Sequence, residues 1–171
     1  LFRSMPKRSS LDGNILGGGL SEYLVIPAWQ IIRMPHDVDM RHAALTEPLA
    51  CCIHSIRKAR LKFGDTVVII GMGIMGYFHV KLAQMCGARI IVSKTDEEKR
   101  KTAIREGAAY AFDPRQCDVG EEIRRLTDGL GADAVINTIP FKEVWQQAID
   151  MLAPYGRLIA YSSQNKIGRA H

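Results

Sequence analysis

The sequence has 171 residues, 47% of them hydrophobic and 24% charged, and it carries a formal net charge of +5. This composition is typical of a folded globular domain with part of a second one, and it excludes a disordered chain. The basic residues are scattered, and acids balance their densest cluster at Lys99–Lys101, so nucleic-acid binding is not predicted. No apolar run reaches the roughly 18 residues of a membrane span, and no signal peptide is recognisable, so we expect no membrane partner.

Three parts follow one another along the chain. Residues 1–40 predict a remnant of a separate domain, irregular apart from one short strand at Ser21–Ile26. Residues 41–163 form the main predicted domain together with a leading helix. Residues 164–171 are a tail that continues no pattern.

The leading helix is predicted over Met40–Ala59. Asp37 and Asp39 precede it and offer side-chain oxygens to cap its first turn. Pro48 falls inside this range, and a proline within a helix removes a backbone hydrogen bond. We therefore expect a bend at Pro48.

From Thr66 onward, short apolar runs alternate with helical segments. The predicted strands are Thr66–Ile70, Arg89–Val92, Tyr110–Phe112, Ala132–Asn137 and Arg157–Ser162. The helix after the first strand ends at about Met85. The other helices are predicted over Asp96–Glu106, Gly120–Thr127 and Phe141–Leu152. This alternation predicts an α/β fold with a doubly wound parallel sheet of the Rossmann type. Five strands are present, and the sixth strand of a complete domain is missing.

The four cysteines indicate the cellular compartment of the protein. None of the four is spaced as C-x-x-C, which argues against a structural zinc knuckle or a redox pair. Their apolar neighbours indicate reduced thiols, so we expect a cytoplasmic protein.

A glycine-rich loop is the sharpest motif in the chain. Its pattern G-x-G-x-x-G runs from Gly71 through Gly73, Ile74 and Met75 to Gly76, directly after a buried strand and at the start of a helix. In a dinucleotide-binding loop the first glycine permits a tight turn and the second lets a pyrophosphate approach. The third lets the helix pack closely on the strand, and the helix N-terminus faces the phosphates.

Two other interpretations of this loop stay open. A tight turn without a ligand uses glycines as well. A methyltransferase has a comparable loop, but an acidic residue usually precedes its glycines, and Ile69 and Ile70 stand there instead. That second alternative is the weaker one.

Residues from Gly18 to Ser162 resemble the middle of a zinc-type, medium-chain alcohol dehydrogenase. The resemblance covers about 145 residues, and several separate stretches match in the right order: Gly19–Pro27, Ala43–Ala50, Phe63–Ile70 with the glycine loop, Gly87–Val92 and Pro154–Leu158.

The resemblance implies an oxidoreductase that moves a hydride between NAD(P) and a small-molecule alcohol, polyol or carbonyl. It also implies that residues 1–40 belong to a catalytic domain and that the full enzyme is a homo-oligomer. A non-catalytic dinucleotide-binding module is the alternative function. The substrate itself is not predicted, because the segments present here build little of the pocket.

The resemblance places Glu47 at the third ligand position of a catalytic zinc ion. A carboxylate oxygen is a legitimate zinc ligand, although an acid at this place also suits a helix end. The other ligands of the family would lie upstream of Leu1. Zinc is therefore expected in the full-length enzyme and not in this chain.

The end of the second strand predicts which nicotinamide is bound. Domains specific for NAD place an acid there to accept hydrogen bonds from the ribose, whereas this chain has Ser93, Lys94 and Thr95. A cation at Lys94 pairs with a 2′-phosphate, with help expected from Arg100, so NADP is favoured over NAD. Asp96 is the alternative acid, although it also looks like a helix cap.

Three further residues are candidates for the nicotinamide side of the site. Asn137 and Thr138 follow the fourth strand, at the carboxyl edge where such sheets bind ligands. Contact with the ribose and an ordinary turn are about equally compatible with this position. His54 lies two helical turns after Glu47 and is a candidate for lining the cleft, with a packed or solvent-facing histidine as the alternative.

Overall fold

The computed structural model describes Tyr23 and residues 27–162. The predicted strand at Ser21–Ile26, apart from Tyr23, and the predicted tail at 164–171 lie outside the described residues. The chain divides into two compact units, one up to Glu47 and the other from Pro48 onward. Within the described part, no helix combines the length and the hydrophobicity that crossing a bilayer requires.

The first unit contains a 3₁₀ helix at Ala28–Gln30 and a short helix α1 at Met40–Ala43. The Asp39 carboxylate accepts a hydrogen bond from the Arg41 amide at 2.8 Å, so this predicted N-cap is confirmed. The next helix, α2, spans Thr46–Ala59.

The prediction of one helix over 40–59 with a bend at Pro48 is wrong. The helix is interrupted at residues 44–45, and Pro48 is the third residue of α2. The first backbone N–H groups of a helix have no partner within it, so a proline costs nothing there. The proline therefore belongs to the first turn of a new helix.

The second unit is a five-stranded parallel sheet with the order β3-β2-β1-β4-β5. The strands are β1 (Thr66–Ile70), β2 (Arg89–Ser93), β3 (Tyr110–Phe112), β4 (Ala132–Asn137) and β5 (Leu152–Ala160). The helices are α3 (Ile74–Met85), α4 (Glu97–Arg105), α5 (Val119–Leu126) and α6 (Lys142–Asp150). The predicted α/β class with a doubly wound parallel sheet is confirmed.

Both faces of the sheet are covered, which explains the continuous apolar runs of its strands. Every residue of β1 is buried. One face of the sheet packs against α2, α3 and α4, and the other packs against α5 and α6. The carboxyl end of β1 therefore has a fixed position between two packed layers.

The last strand differs from its prediction. β5 begins at Leu152, five residues before the predicted start at Arg157, and α6 ends at Asp150, two residues before its predicted end. The early part contains Pro154 and a left-handed residue, Tyr155 with φ of 64°. An edge strand tolerates a proline because its outer N–H groups need no partner in the sheet, and the pairing register shifts between Ala132 and Ala134.

Candidate functional site

The three glycines of the motif that joins β1 to α3 have different surroundings, and Gly76 already lies in the first turn of α3. Gly71 is buried with φ of +100°, and a Cβ atom there would collide with the Thr138 side chain. A Cβ at Gly76 would collide with the backbone oxygen of Gly71. Gly73 is exposed, and nothing lies within 4 Å of the place where its Cβ would stand. Two glycines therefore close the turn, whereas the third leaves open space beside it.

The open space adjoins the N-terminus of α3. Gly73 is the N-cap of this 12-residue helix and supplies no side-chain cap, and its first turn holds no acidic residue. The first amide N–H groups of a helix carry partial positive charge and seek an acceptor. The loop thus fits a phosphate or pyrophosphate group, and Gly73, Ile74, Met75 and Gly76 would present the donors.

Two residues at the carboxyl end of β4, Asn137 and Thr138, adjoin the end of β1. The Thr138 hydroxyl donates a 2.8 Å hydrogen bond to the carbonyl of Ile70 at the end of β1. Asn137 is fully buried, its Oδ1 accepts from the Ile139 amide at 3.1 Å, and its Nδ2 has no partner within the described residues. Thr138 is partly exposed at the site, whereas Asn137 lies beneath it.

The predicted cation site lies at the carboxyl end of β2. Ile70 pairs with Ser93 on one side and with Asn137 on the other, so both strand ends flank the glycine loop. Ser93 is 5% exposed and Lys94 is half-buried. The Lys94 ammonium makes no hydrogen bond or ion pair with any residue that the structure describes.

Asp96 and Arg100 both have structural partners. The Asp96 carboxylate caps α4 by accepting from the Lys99 amide at 2.9 Å. One guanidinium nitrogen of Arg100 donates to the carbonyls of Lys94 and Thr95, at 2.7 and 2.8 Å, and to the carboxylate of Asp113. The Arg100 side chain is only 15% exposed, so it braces this turn from within.

Asp113 is a site residue that the sequence reasoning missed. Its buried carboxylate binds both Arg115 and Arg100, and hydrogen bonds from Arg115 hold its pKa far below the usual range. An aspartate directly after a strand and followed by a proline was the available signal. Arg115 is only two residues away, but Arg100 lies on α4, and the sequence does not reveal that contact.

A buried polar group supports the loop from the α2 side. His79 Nδ1 lies 2.7 Å from the Met75 carbonyl, and Nε2 lies 2.8 Å from the Ser55 hydroxyl. A carbonyl only accepts, so we assign the proton to Nδ1, and the hydroxyl donates to Nε2. Burial lowers the pKa of His79. The hydroxyl of Tyr161 also donates to the Met75 sulfur, at 3.1 Å.

Two further candidates, His54 and Glu47, lie on α2. His54 is exposed on α2. Glu47 is half-buried, and across Tyr23 and residues 27–162 no three His, Cys, Asp or Glu side chains come together as a metal site would need. The described residues therefore do not form a catalytic zinc site.

Comparison with known proteins identifies the family of this chain. The chain matches the zinc-binding dehydrogenase family over residues 73–167, more than half of its length. It is 35% identical over 147 residues to the sorbitol dehydrogenase of Halalkalibacterium halodurans, covering 85% of this chain and 43% of that protein. It is 33% identical over 148 residues to the D-guloside 3-dehydrogenase of Escherichia coli, covering 84% and 42%.

A solved structure has the same fold. A protein from Sinorhizobium meliloti, described as a zinc-binding dehydrogenase bound to NADP, superposes with a TM-score of 0.82 at 31% identity. The alignment covers 93% of this chain and 47% of that one. The chain belongs to the zinc-binding, medium-chain dehydrogenase family, and its Rossmann sheet is the dinucleotide-binding domain of that family. It spans less than half the length of these relatives.

Proposed function

We propose that this chain is the NADP-binding part of an enzyme that transfers a hydride between a nicotinamide and an alcohol, polyol or carbonyl. The single observation that carries this proposal is the uncapped N-terminus of α3 beside the open space at Gly73. The names of the relatives, a sorbitol dehydrogenase and a D-guloside 3-dehydrogenase, support a small polyhydroxylated substrate.

Different residues of the site bind different parts of the dinucleotide. The amides at the start of α3 bind the pyrophosphate, and the turn of Ser93, Lys94 and Thr95 binds the adenosine ribose. Thr138 adjoins the nicotinamide ribose, and buried Asn137 fixes the turn beneath it. When bound, the nicotinamide carries the hydride, while the protein supplies binding and orientation.

The preference for NADP rests on Lys94. No acid stands at the end of β2, and Asp96 is engaged as the cap of α4. An ammonium that lacks an ion pair among the described residues is suited to a 2′-phosphate, whereas NAD offers it only a hydroxyl. The neighbouring Ser93 hydroxyl makes no hydrogen bond to any described residue and supplies a further donor.

Calorimetric titration of the purified chain tests the proposed class. NADPH and NADH should bind with one-to-one stoichiometry, and S-adenosylmethionine should not. Binding of S-adenosylmethionine without a response to either nicotinamide would support the methyltransferase alternative and contradict the proposal.

Substitution of Lys94 tests the cofactor preference. Lys94→Asp should weaken NADPH binding by at least about tenfold, because it removes a charged hydrogen bond and adds repulsion, and it should improve NADH binding. Lys62→Asp makes the same charge change on an exposed lysine before β1 and should leave the two dissociation constants unchanged. Equal effects of Lys94→Asp on NADPH and NADH would show that Lys94 does not read the 2′-position.

The cellular location and the oligomeric state of the full enzyme are also proposals. None of the four cysteines, all of which the structure describes, forms a disulfide, which supports a reducing compartment such as the cytoplasm. We propose a homo-oligomer for the full enzyme, as the family resemblance implies.

A further inference from the structure

Arg115 lies at the predicted cation site although it is far from it in sequence. The loop that follows β3 carries it, and its guanidinium donates a 2.7 Å hydrogen bond to the carbonyl of Thr95, twenty residues earlier. The backbone amide of Lys94 donates to the carbonyl of Phe112 at 2.9 Å, which holds the ends of β2 and β3 together. The turn after β2 therefore has a second cation beside it.

The guanidinium of Arg115 is held in a fixed orientation. Its Nε and Nη2 atoms donate to the two carboxylate oxygens of Asp113, at 3.1 and 2.8 Å. This paired geometry leaves little freedom for the planar group. The remaining nitrogen, Nη1, makes no hydrogen bond with any residue that the structure describes.

Arg100 and Arg115 share the same carboxylate but differ in access. The side chain of Arg100 is 15% exposed, and that of Arg115 is 67% exposed. Arg100 is the more buried of the two arginine partners of Asp113. Arg115 adds an accessible positive charge to a turn whose other cation, Lys94, has no ion pair among the described residues.

We propose that Arg115 is a specificity-determining residue that binds the 2′-phosphate of NADP together with Lys94. The inference rests on the proposed function and names a second ligand for the same site. Asp113 and the Thr95 carbonyl orient the guanidinium, and Nη1 donates to the phosphate. Arg100 stabilises the turn instead. The second cation that binds the 2′-phosphate is therefore Arg115 and not Arg100.

Titrations with fragments of the cofactor distinguish binding of the 2′-phosphate by Arg115 from stabilisation of the turn by Arg115. Arg115→Gln keeps a hydrogen-bond donor but removes the charge. It should weaken 2′,5′-ADP and NADPH roughly tenfold, the loss of one charged hydrogen bond, and leave 5′-AMP and NADH within about twofold. The salt dependence of NADPH binding should become shallower, since one phosphate contact is lost. Arg105→Gln, which removes an exposed arginine on α4, should change none of these constants.

The outcomes distinguish this inference from the proposed function. The inference is wrong if Arg115→Gln weakens 5′-AMP and 2′,5′-ADP equally, because the arginine would then only brace the turn. It is also wrong if 2′,5′-ADP binding is unchanged while Lys94→Asp abolishes the preference for NADPH, and the proposed function then stands. A wild-type chain that binds NADPH no better than NADH contradicts both.

Discussion

The three loop glycines meet different physical demands at the scale of single residues. Gly71 needs a left-handed backbone and has no room for a side chain, whereas Gly73 has ordinary dihedral angles and open space. Their spacing predicts the loop from sequence because the left-handed turn at Gly71 and the contact of Gly76 with the Gly71 backbone are local. The position of Arg115 was not predictable, because its contact with Thr95 joins two different turns across the end of the sheet.

Alanine substitutions at three glycines should separate these demands. Gly64 is left-handed with φ of +85°, and nothing lies within 4 Å of the place where its Cβ would stand, so Gly64→Ala tests backbone strain alone. We expect Gly64→Ala to lower the free energy of unfolding by about 1–3 kcal/mol. Gly71→Ala should cost more, because the new methyl group also displaces the Thr138 side chain. Gly73→Ala should be close to neutral. Urea denaturation measures all three, and a Gly71→Ala variant as stable as Gly73→Ala would contradict this account.

At the scale of elements, the sequence predicted the strands better than the helix ends. β1, β3 and β4 have their predicted bounds. For β1 and β4 the reason is that buried strands are largely apolar runs. The start of β5 was missed because an edge strand accepts Pro154, which is normally a sign that a strand has ended. The link from α2 to the glycine loop through Ser55 and His79 depends on how two helices pack, which periodicity does not show.

The buried imidazole of His79 should make stability depend on pH. Burial holds its pKa in the folded chain below the ordinary value of 6.5. As the pH falls below 6.5, the unfolded chain takes up a proton that the folded chain does not, so the free energy of unfolding should decrease. His79→Gln should make this dependence flatter. The exposed His54 on α2 supplies the control His54→Gln, which should retain the wild-type slope. Identical slopes for wild type and His79→Gln would contradict the assignment.

At the scale of the whole molecule, the strand order determines where a ligand binds. β1 lies between β2 and β4, so the strand order changes direction at β1. In such sheets a ligand-binding crevice lies where the strand order reverses. The glycine loop, the end of β2 and Thr138 all lie at this carboxyl edge. The sequence predicted this arrangement through the alternation of elements. It left the substrate unknown, because the chain spans only 43% of the sorbitol dehydrogenase that it resembles.

The purified chain should bind the cofactor without turning over an alcohol. We expect no NADPH formation from NADP and sorbitol, even with added zinc, because Glu47 lacks two further ligands within the described residues. Absorbance at the nicotinamide band measures turnover, and calorimetry measures zinc. Tight one-to-one zinc binding together with measurable turnover would overturn this prediction.

Titration of the Gly73→Val variant with NADPH tests whether the loop between β1 and α3 binds the dinucleotide. The side chain would enter open space, so the variant should fold and melt like wild type. It would also occupy the space that the pyrophosphate needs beside the α3 N-terminus. We expect saturable NADPH binding by wild type and none by Gly73→Val at the same protein concentration. A variant that melts like wild type and binds NADPH with unchanged affinity would contradict this expectation.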